Sequence, residues 1–71
     1  MEKDQIGSFA GIVWRTLNDK GRLSFEELMH ATHLSNDVIW MAIGWLAREG
    51  KIEFDGQNGI SVYYIYHEHY Y

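Results

Sequence analysis

The first third of the chain repeats apolar residues at helical spacing. One face of a helix would collect Ile6, Phe9, Ala10, Val13 and Leu17. Asp4 is a suitable N-cap, and Asn-Asp-Lys-Gly at residues 18–21 is a suitable stop. The pattern therefore predicts a first helix over residues 5–18.

Two glycines, Gly7 and Gly11, lie one turn apart inside this predicted helix. An interior glycine destabilises a helix by about 0.5–1 kcal/mol relative to alanine. The pair indicates either that another backbone approaches closely here or that the helix tolerates both defects.

A second helix is predicted from its N-terminal signal. Ser24 and Glu27 have the spacing of a capping box, after a short extended piece at residues 22–23. The helix would begin at Phe25. One of its faces carries Phe25, Leu28, Met29 and Thr32.

A third helix is predicted over residues 36–49. Ser35 is a second N-cap, reached through a tight turn at residues 33–34, and Gly50 is a natural residue beyond the C-cap. At 100° per residue its core side would carry Val38, Ala42, Trp45 and Leu46. The opposite side would carry Asn36, Trp40, Gly44 and Ala47, with Asp37, Ile43 and Arg48 on the flanks.

Two extended runs, residues 51–54 and 60–66, follow the third helix. Residues 55–59 between them read Asp-Gly-Gln-Asn-Gly, which is typical of a hairpin turn. The second run is apolar or aromatic on both faces, as in a strand that is covered on both sides. As a long edge strand it would need a partner, and a second copy of the chain is the simplest one.

These elements together predict one hydrophobic core. We expect it to contain Phe9, Val13, Leu17, Phe25, Leu28, Val38, Ala42, Leu46, Ile52 and Val62.

The junction between the third helix and the hairpin carries a family resemblance. Leu-Ala-Arg-Glu-Gly-Lys-Ile at residues 46–52 resembles the same junction in bacterial winged-helix regulators. A closer likeness, to small bacterial winged helix-turn-helix proteins, rests on Ile6-Gly7, Ala10-Gly11, Trp14 and Gly44-Trp45-Leu46. It covers residues 5–66 and implies an α+β fold of three helices and a small antiparallel sheet with a C-terminal hairpin wing. It also implies a regulator that binds double-stranded DNA through Ser35, Asn36, Arg48 and Lys51.

The resemblance makes DNA binding the leading function, but the charge of the chain argues mildly against tight DNA binding and leaves a second function open. The 71 residues form a single domain with six basic and ten acidic side chains, a formal charge of −4. Between Ser35 and Ala47 there is no Lys or Arg, and Asp55 near the wing tip would repel phosphate. The alternative is therefore a protein-interaction or dimerisation module.

The surface of that module would be apolar and aromatic. It would consist of Trp40, Ile43, Gly44, Tyr63, Tyr64 and Tyr66. Trp40 beside Gly44 resembles an interface anchor, although it could instead lean on its own chain. Because a chain this short has a marginal core and surplus apolar surface, we expect a homodimer.

Other classes of function have little support in the sequence. Without cysteine the chain suits a reducing cytoplasm and forms no disulfides, and no apolar run is long enough for a membrane span. Two histidine pairs, at residues 30 and 33 and at residues 67 and 69, could each supply two metal ligands, but no third ligand is fixed. No catalytic or phosphate-binding motif is present, so we expect neither an enzyme nor a cofactor.

Overall fold

The computed structural model describes residues 2–57 and 60–65 of the chain. It contains three helices, α1 (Lys3–Lys20), α2 (Phe25–Thr32) and α3 (Asn36–Arg48). Three strands, β1 (Leu23–Ser24), β2 (Ile52–Gln57) and β3 (Ile60–Ile65), form one antiparallel sheet in the order β1-β3-β2. This is the α+β winged-helix architecture that the resemblance implies.

The first helix is longer than predicted at both ends. Its N-cap is Glu2 and not Asp4, because Gln5 accepts a hydrogen bond from the Glu2 amide at 3.0 Å and closes a capping box two residues earlier. At the other end, Gly21 adopts φ 84° after Lys20 and ends the helix.

The second helix begins as predicted. The Ser24 amide donates to the Glu27 carboxylate at 2.9 Å, and the Glu27 amide donates to the Ser24 hydroxyl at 3.2 Å. The helix ends at His33, which adopts the left-handed conformation with φ 59°. Residues 33–35 then connect α2 to α3.

A Schellman motif joins α3 to the sheet. The Gly50 amide donates to the Ala47 carbonyl at 3.1 Å, and the Lys51 amide donates to the Leu46 carbonyl at 2.9 Å. Gly50 adopts φ 70°, which a residue with a Cβ adopts only with strain. The motif ends the helix and directs the chain into β2 at Ile52.

The hairpin differs from its prediction in two ways. Strand pairing runs from Ile52 opposite Ile65 to Gln57 opposite Ile60, so the connection is residues 58–59 and not five residues. In addition, β1 pairs with β3 at Tyr63 and Val62. Strand β3 is therefore the central strand, and the expectation of an unpaired edge strand is wrong.

One apolar cluster fills the space between the helices and the sheet. Among the described residues it contains Ala10, Val13, Leu17, Leu23, Leu28, Ile39, Ala42, Ile43, Leu46, Ile52, Tyr63 and Ile65. Four residues expected in the core are only half-buried: Phe9, Phe25, Val38 and Val62. In β3 the prediction chose the wrong face, because Tyr63 and Ile65 point into the cluster while Val62 and Tyr64 lie on the other side of the pleat.

Two glycines of the α3 region predict opposite effects of alanine on stability. Gly50→Ala should lower the free energy of unfolding by about 1–2 kcal/mol, because Gly50 needs a left-handed backbone. Gly44→Ala should raise it by about 0.5–1 kcal/mol, because Gly44 is helical and no described residue outside its own stretch of helix lies within 4 Å of its missing Cβ. Urea denaturation of both variants measures the two changes, and equal signs would contradict this account of the junction.

The capping box of α2 predicts an acid-sensitive contribution to stability. The hydrogen bond from the Ser24 amide, and then the bond with the Ser24 hydroxyl, lower the pKa of Glu27 from its ordinary 4.5. A carboxylate with a lowered folded-state pKa stabilises the fold above its unfolded pKa and loses that effect as pH falls through the folded value. We therefore expect unfolding free energy to fall as pH drops below 4.5.

Two glutamine variants isolate this contribution. Glu27→Gln keeps the acceptor without the charge and should lose less stability over the same pH range, as measured by urea titrations. Glu26→Gln is the matched control, since Glu26 is an exposed neighbour outside the capping box, and it should behave as wild type. Equal acid sensitivity in both variants would assign the effect to other groups.

Candidate functional site

The side of α3 that packs into the core determines which of its side chains face solvent. Its buried residues are Ile39, Ala42, Ile43 and Leu46. The opposite side, which we call the α3 outer surface, consists of Asp37, Trp40, Met41, Gly44 and Arg48, all exposed. The buried side of the helix therefore differs from the predicted one by a rotation about the helix axis. The prediction failed because nearly all residues of α3 are apolar, so their spacing does not indicate which side is buried.

Two predictions on α3 are therefore wrong. Ile43, expected at an interface, is only 6% exposed and belongs to the core. Trp45, expected in the core, is 38% exposed on the side that faces α1. Gly44 is exposed as expected.

Trp40 combines the two roles considered for it. Its ring stacks on Phe25 of α2, with centroids 4.5 Å apart and 28° between the planes. Trp40 is nevertheless 56% exposed, so the stack covers only part of the indole. The contact with Phe25 fixes the ring while the rest of it faces solvent.

The predicted DNA contacts lie at opposite ends of α3. Ser35 and Asn36 begin the helix, while Arg48 and Lys51 lie at its end, and all four are exposed. The twelve-residue step from Asn36 to Arg48 corresponds to about 18 Å of helix. The intervening outer surface supplies Trp40, Met41 and Gly44 and no cation.

The wing carries an exposed aromatic side chain and an aspartate that forms an ion pair. Phe54 is 62% exposed and lies with its ring centroid 6.2 Å from that of Tyr63. Asp55 pairs with Arg22 at 3.7 Å, and the Arg22 guanidinium lies 4.3 Å above the centroid of the Tyr64 ring. The repulsion expected from Asp55 is therefore partly offset within the chain.

The tyrosines expected at an interface have different environments. Tyr63 is 5% exposed, which contradicts an interface role, and burial raises the pKa of its phenol above the ordinary 10.0. Tyr64 is half-buried beneath Arg22. Tyr66 lies outside the described residues, as do His67 and His69.

A groove between α1 and α3 was not predicted. It is lined by Gly7, Ala10, Gly11, Trp14, Arg15, Trp45, Leu46 and Lys51. Among the described residues outside the backbone of α1 itself, no backbone comes within 4 Å of either missing Cβ, and the Arg15 guanidinium is the one group that does so, at Gly11. Gly7 and Gly11, two turns and one turn before Trp14, were the sequence signal for this open space.

The described residues offer no metal site and no membrane segment. No group of three or more His, Cys, Asp or Glu side chains in residues 2–57 and 60–65 could hold a metal ion. His30 and His33 line a shallow depression with Glu26 and Met29. None of the described helices is both long and apolar enough to cross a membrane.

Known proteins resemble this chain over most of its length. A family model described as a winged helix-turn-helix domain, DUF2582, matches residues 1–65. Protein MJ1608 of Methanocaldococcus jannaschii is 36% identical over 50 residues, which are 68% of this chain and 71% of that protein. The solution NMR structure of BT2368 from Bacteroides thetaiotaomicron has a TM-score of 0.83 at 38% identity and covers 92% of this chain and 79% of its own.

A more distant structure shares the fold. HOP2, whose structural description concerns DNA recognition and protein interaction domains, has a TM-score of 0.71 at 22% identity. The match covers 80% of this chain and 97% of that one. At this identity the likeness concerns the arrangement of helices and strands.

Proposed function

This chain belongs to the DUF2582 family of winged helix-turn-helix domains, and we propose that it is a protein-interaction module that forms a homodimer through the α3 outer surface. The observation that carries the proposal is the exposed apolar surface of α3, with Trp40 and Met41 next to the notch at Gly44. Tryptophan is one of the residue types enriched among the side chains that contribute most to binding in protein interfaces.

The charges on the α3 outer surface and the fixed orientation of the Trp40 ring both support a contact with protein. Asp37 and Arg48 carry opposite charges at the two ends of α3, which suits an antiparallel approach of two identical helices. Trp40 is already held by Phe25, so little side-chain freedom is lost when a partner covers it. The helix that would read DNA bases in other winged-helix proteins therefore presents an apolar contact surface here.

DNA binding is the second candidate function. It is supported by the fold, which serves as a DNA-binding scaffold in other proteins, and by the HOP2 likeness, since that protein's description names DNA recognition. The contacts would be Ser35, Asn36, Arg48 and Lys51. Two cations per chain would neutralise few phosphates, so this binding would be weak.

Substitution of Trp40 tests the homodimer. Light scattering at micromolar concentration should give about twice the 8.4 kDa chain mass for wild type and the single mass for Trp40→Glu, because a buried carboxylate without a partner opposes association. Met41→Glu should act likewise without removing the Trp40–Phe25 stack. Phe54→Glu is the matched control, an exposed aromatic residue on the wing, and should remain dimeric.

Two results would overturn this proposal. A wild-type protein that is monomeric at every accessible concentration excludes the homodimer. A dimer that survives both Trp40→Glu and Met41→Glu excludes the α3 outer surface as its interface.

Salt dependence tests DNA binding. Fluorescence anisotropy with labelled duplexes should show weak binding with little preference among sequences and a shallow salt dependence, since each neutralised phosphate contributes a slope of only about −0.9. Because this weak binding would come from phosphate contacts, Asn36→Ala should change the affinity little, although Asn36 is the outward side chain of α3 suited to bidentate base contact. Nanomolar, sequence-selective binding that Asn36→Ala abolishes would instead establish α3 as a recognition helix.

A further inference from the structure

The groove between α1 and α3 lies beside the α3 outer surface and is not needed for the proposed dimer. Its open space measures about 370 Å³. Trp14 of α1 and Trp45 of α3 contribute indole rings to its lining, and Leu46 contributes an aliphatic side chain. Trp45 is among the most exposed large apolar side chains of the described residues.

Missing side chains keep this groove open. In the part of the chain that the structure describes, nothing outside the backbone of α1 and the two neighbouring residues lies within 4 Å of the Cβ position of Gly7. At Gly11 the Arg15 guanidinium lies 3.5 Å from that position, so Arg15 folds back along α1 over space that a larger residue would take. Both glycines reduce helix stability. Because neither has a side chain, the surface of α1 is concave at these two positions.

The groove is a positively charged part of an acidic chain. Arg15 and Lys51 line it, and no acidic side chain of the described residues does. The ion pair that the described residues form elsewhere, Arg22 with Asp55, uses neither of them. Two cations beside two indole rings therefore face the same open space in a chain of formal charge −4.

We propose that this groove binds a small aromatic carboxylate. Its volume falls in the range of roughly 300–1,000 Å³ that small-molecule sites occupy. The flat ring would lie against Trp14 and Trp45, and the carboxylate would face the Arg15 guanidinium and the Lys51 ammonium. Both parts of the ligand are needed, because the lining offers apolar area and positive charge together.

Three tryptophans allow a direct test by NMR. In a titration with 2-naphthoate, the indole N–H signals of Trp14 and Trp45 should shift and saturate with one dissociation constant. The signal of Trp40, which belongs to α3 but stacks on Phe25 of α2 and does not line the groove, should stay in place. The uncharged analogue 2-naphthylmethanol should bind about five- to twentyfold more weakly, as expected when two exposed ion pairs are lost.

Matched variants separate the groove from the rest of the molecule. Gly7→Leu should fill the groove and abolish binding, whereas Ser8→Leu, at the next and exposed position of α1 outside the groove, should bind as wild type. Arg15→Gln and Lys51→Gln should each weaken binding about two- to fivefold. Lys20→Gln, a cation on the same helix that does not line the groove, should have no effect. Circular dichroism checks that every variant keeps its helices.

Several outcomes would overturn the proposal. They are the absence of saturable shifts at millimolar 2-naphthoate, equal affinity for the uncharged analogue, and unchanged binding by a folded Gly7→Leu variant. Trp14 and Trp45 signals that respond to protein concentration but not to 2-naphthoate would show that a second copy occupies the groove, which also excludes this ligand class.

Discussion

The packing of α1 against α3 is the constraint on which the rest of the structure depends. Each helix contributes an apolar stripe to a single cluster: Ala10, Val13 and Leu17 from α1, and Ile39, Ala42, Ile43 and Leu46 from α3. Apart from the Tyr63 phenol, no polar or charged residue of the described chain is buried there. Apolar burial therefore fixes the rotation of α3, and that rotation decides which residues line the groove and which face solvent.

The sheet reinforces this rotation through one short junction. The left-handed Gly50 sends the chain into β2 directly after α3, so Ile52 enters the same cluster as Leu46. Strand β3 then lies between β2 and β1, which buries Tyr63 and Ile65 under the helices. Exposed Phe54 lies beyond the covered part of that face, so the outer half of the wing contributes aromatic surface rather than core.

Local signals made part of this structure predictable from sequence. The capping box of Ser24 and Glu27 and the stop at Gly50 were correct because each depends on residues close together in the chain. The rotation of α3 was not predictable, because residues 38–47 are all apolar except Gly44 and offer no polar side. The same ambiguity affected β3, which is apolar or aromatic on both faces and pairs with the distant strand β1. The groove was not predictable for a similar reason, because it is formed by two helices that are far apart in the sequence.

The open position at Gly44 has a consequence for how this fold diversifies. Gly44 and the side chains of Asp37, Met41 and Arg48 are exposed, so exchanging them leaves the buried stripe of α3 intact. A few substitutions at these positions can therefore change the chemistry of this helix from apolar to basic while the buried residues stay the same. The fold of a relative consequently says little about what its third helix contacts.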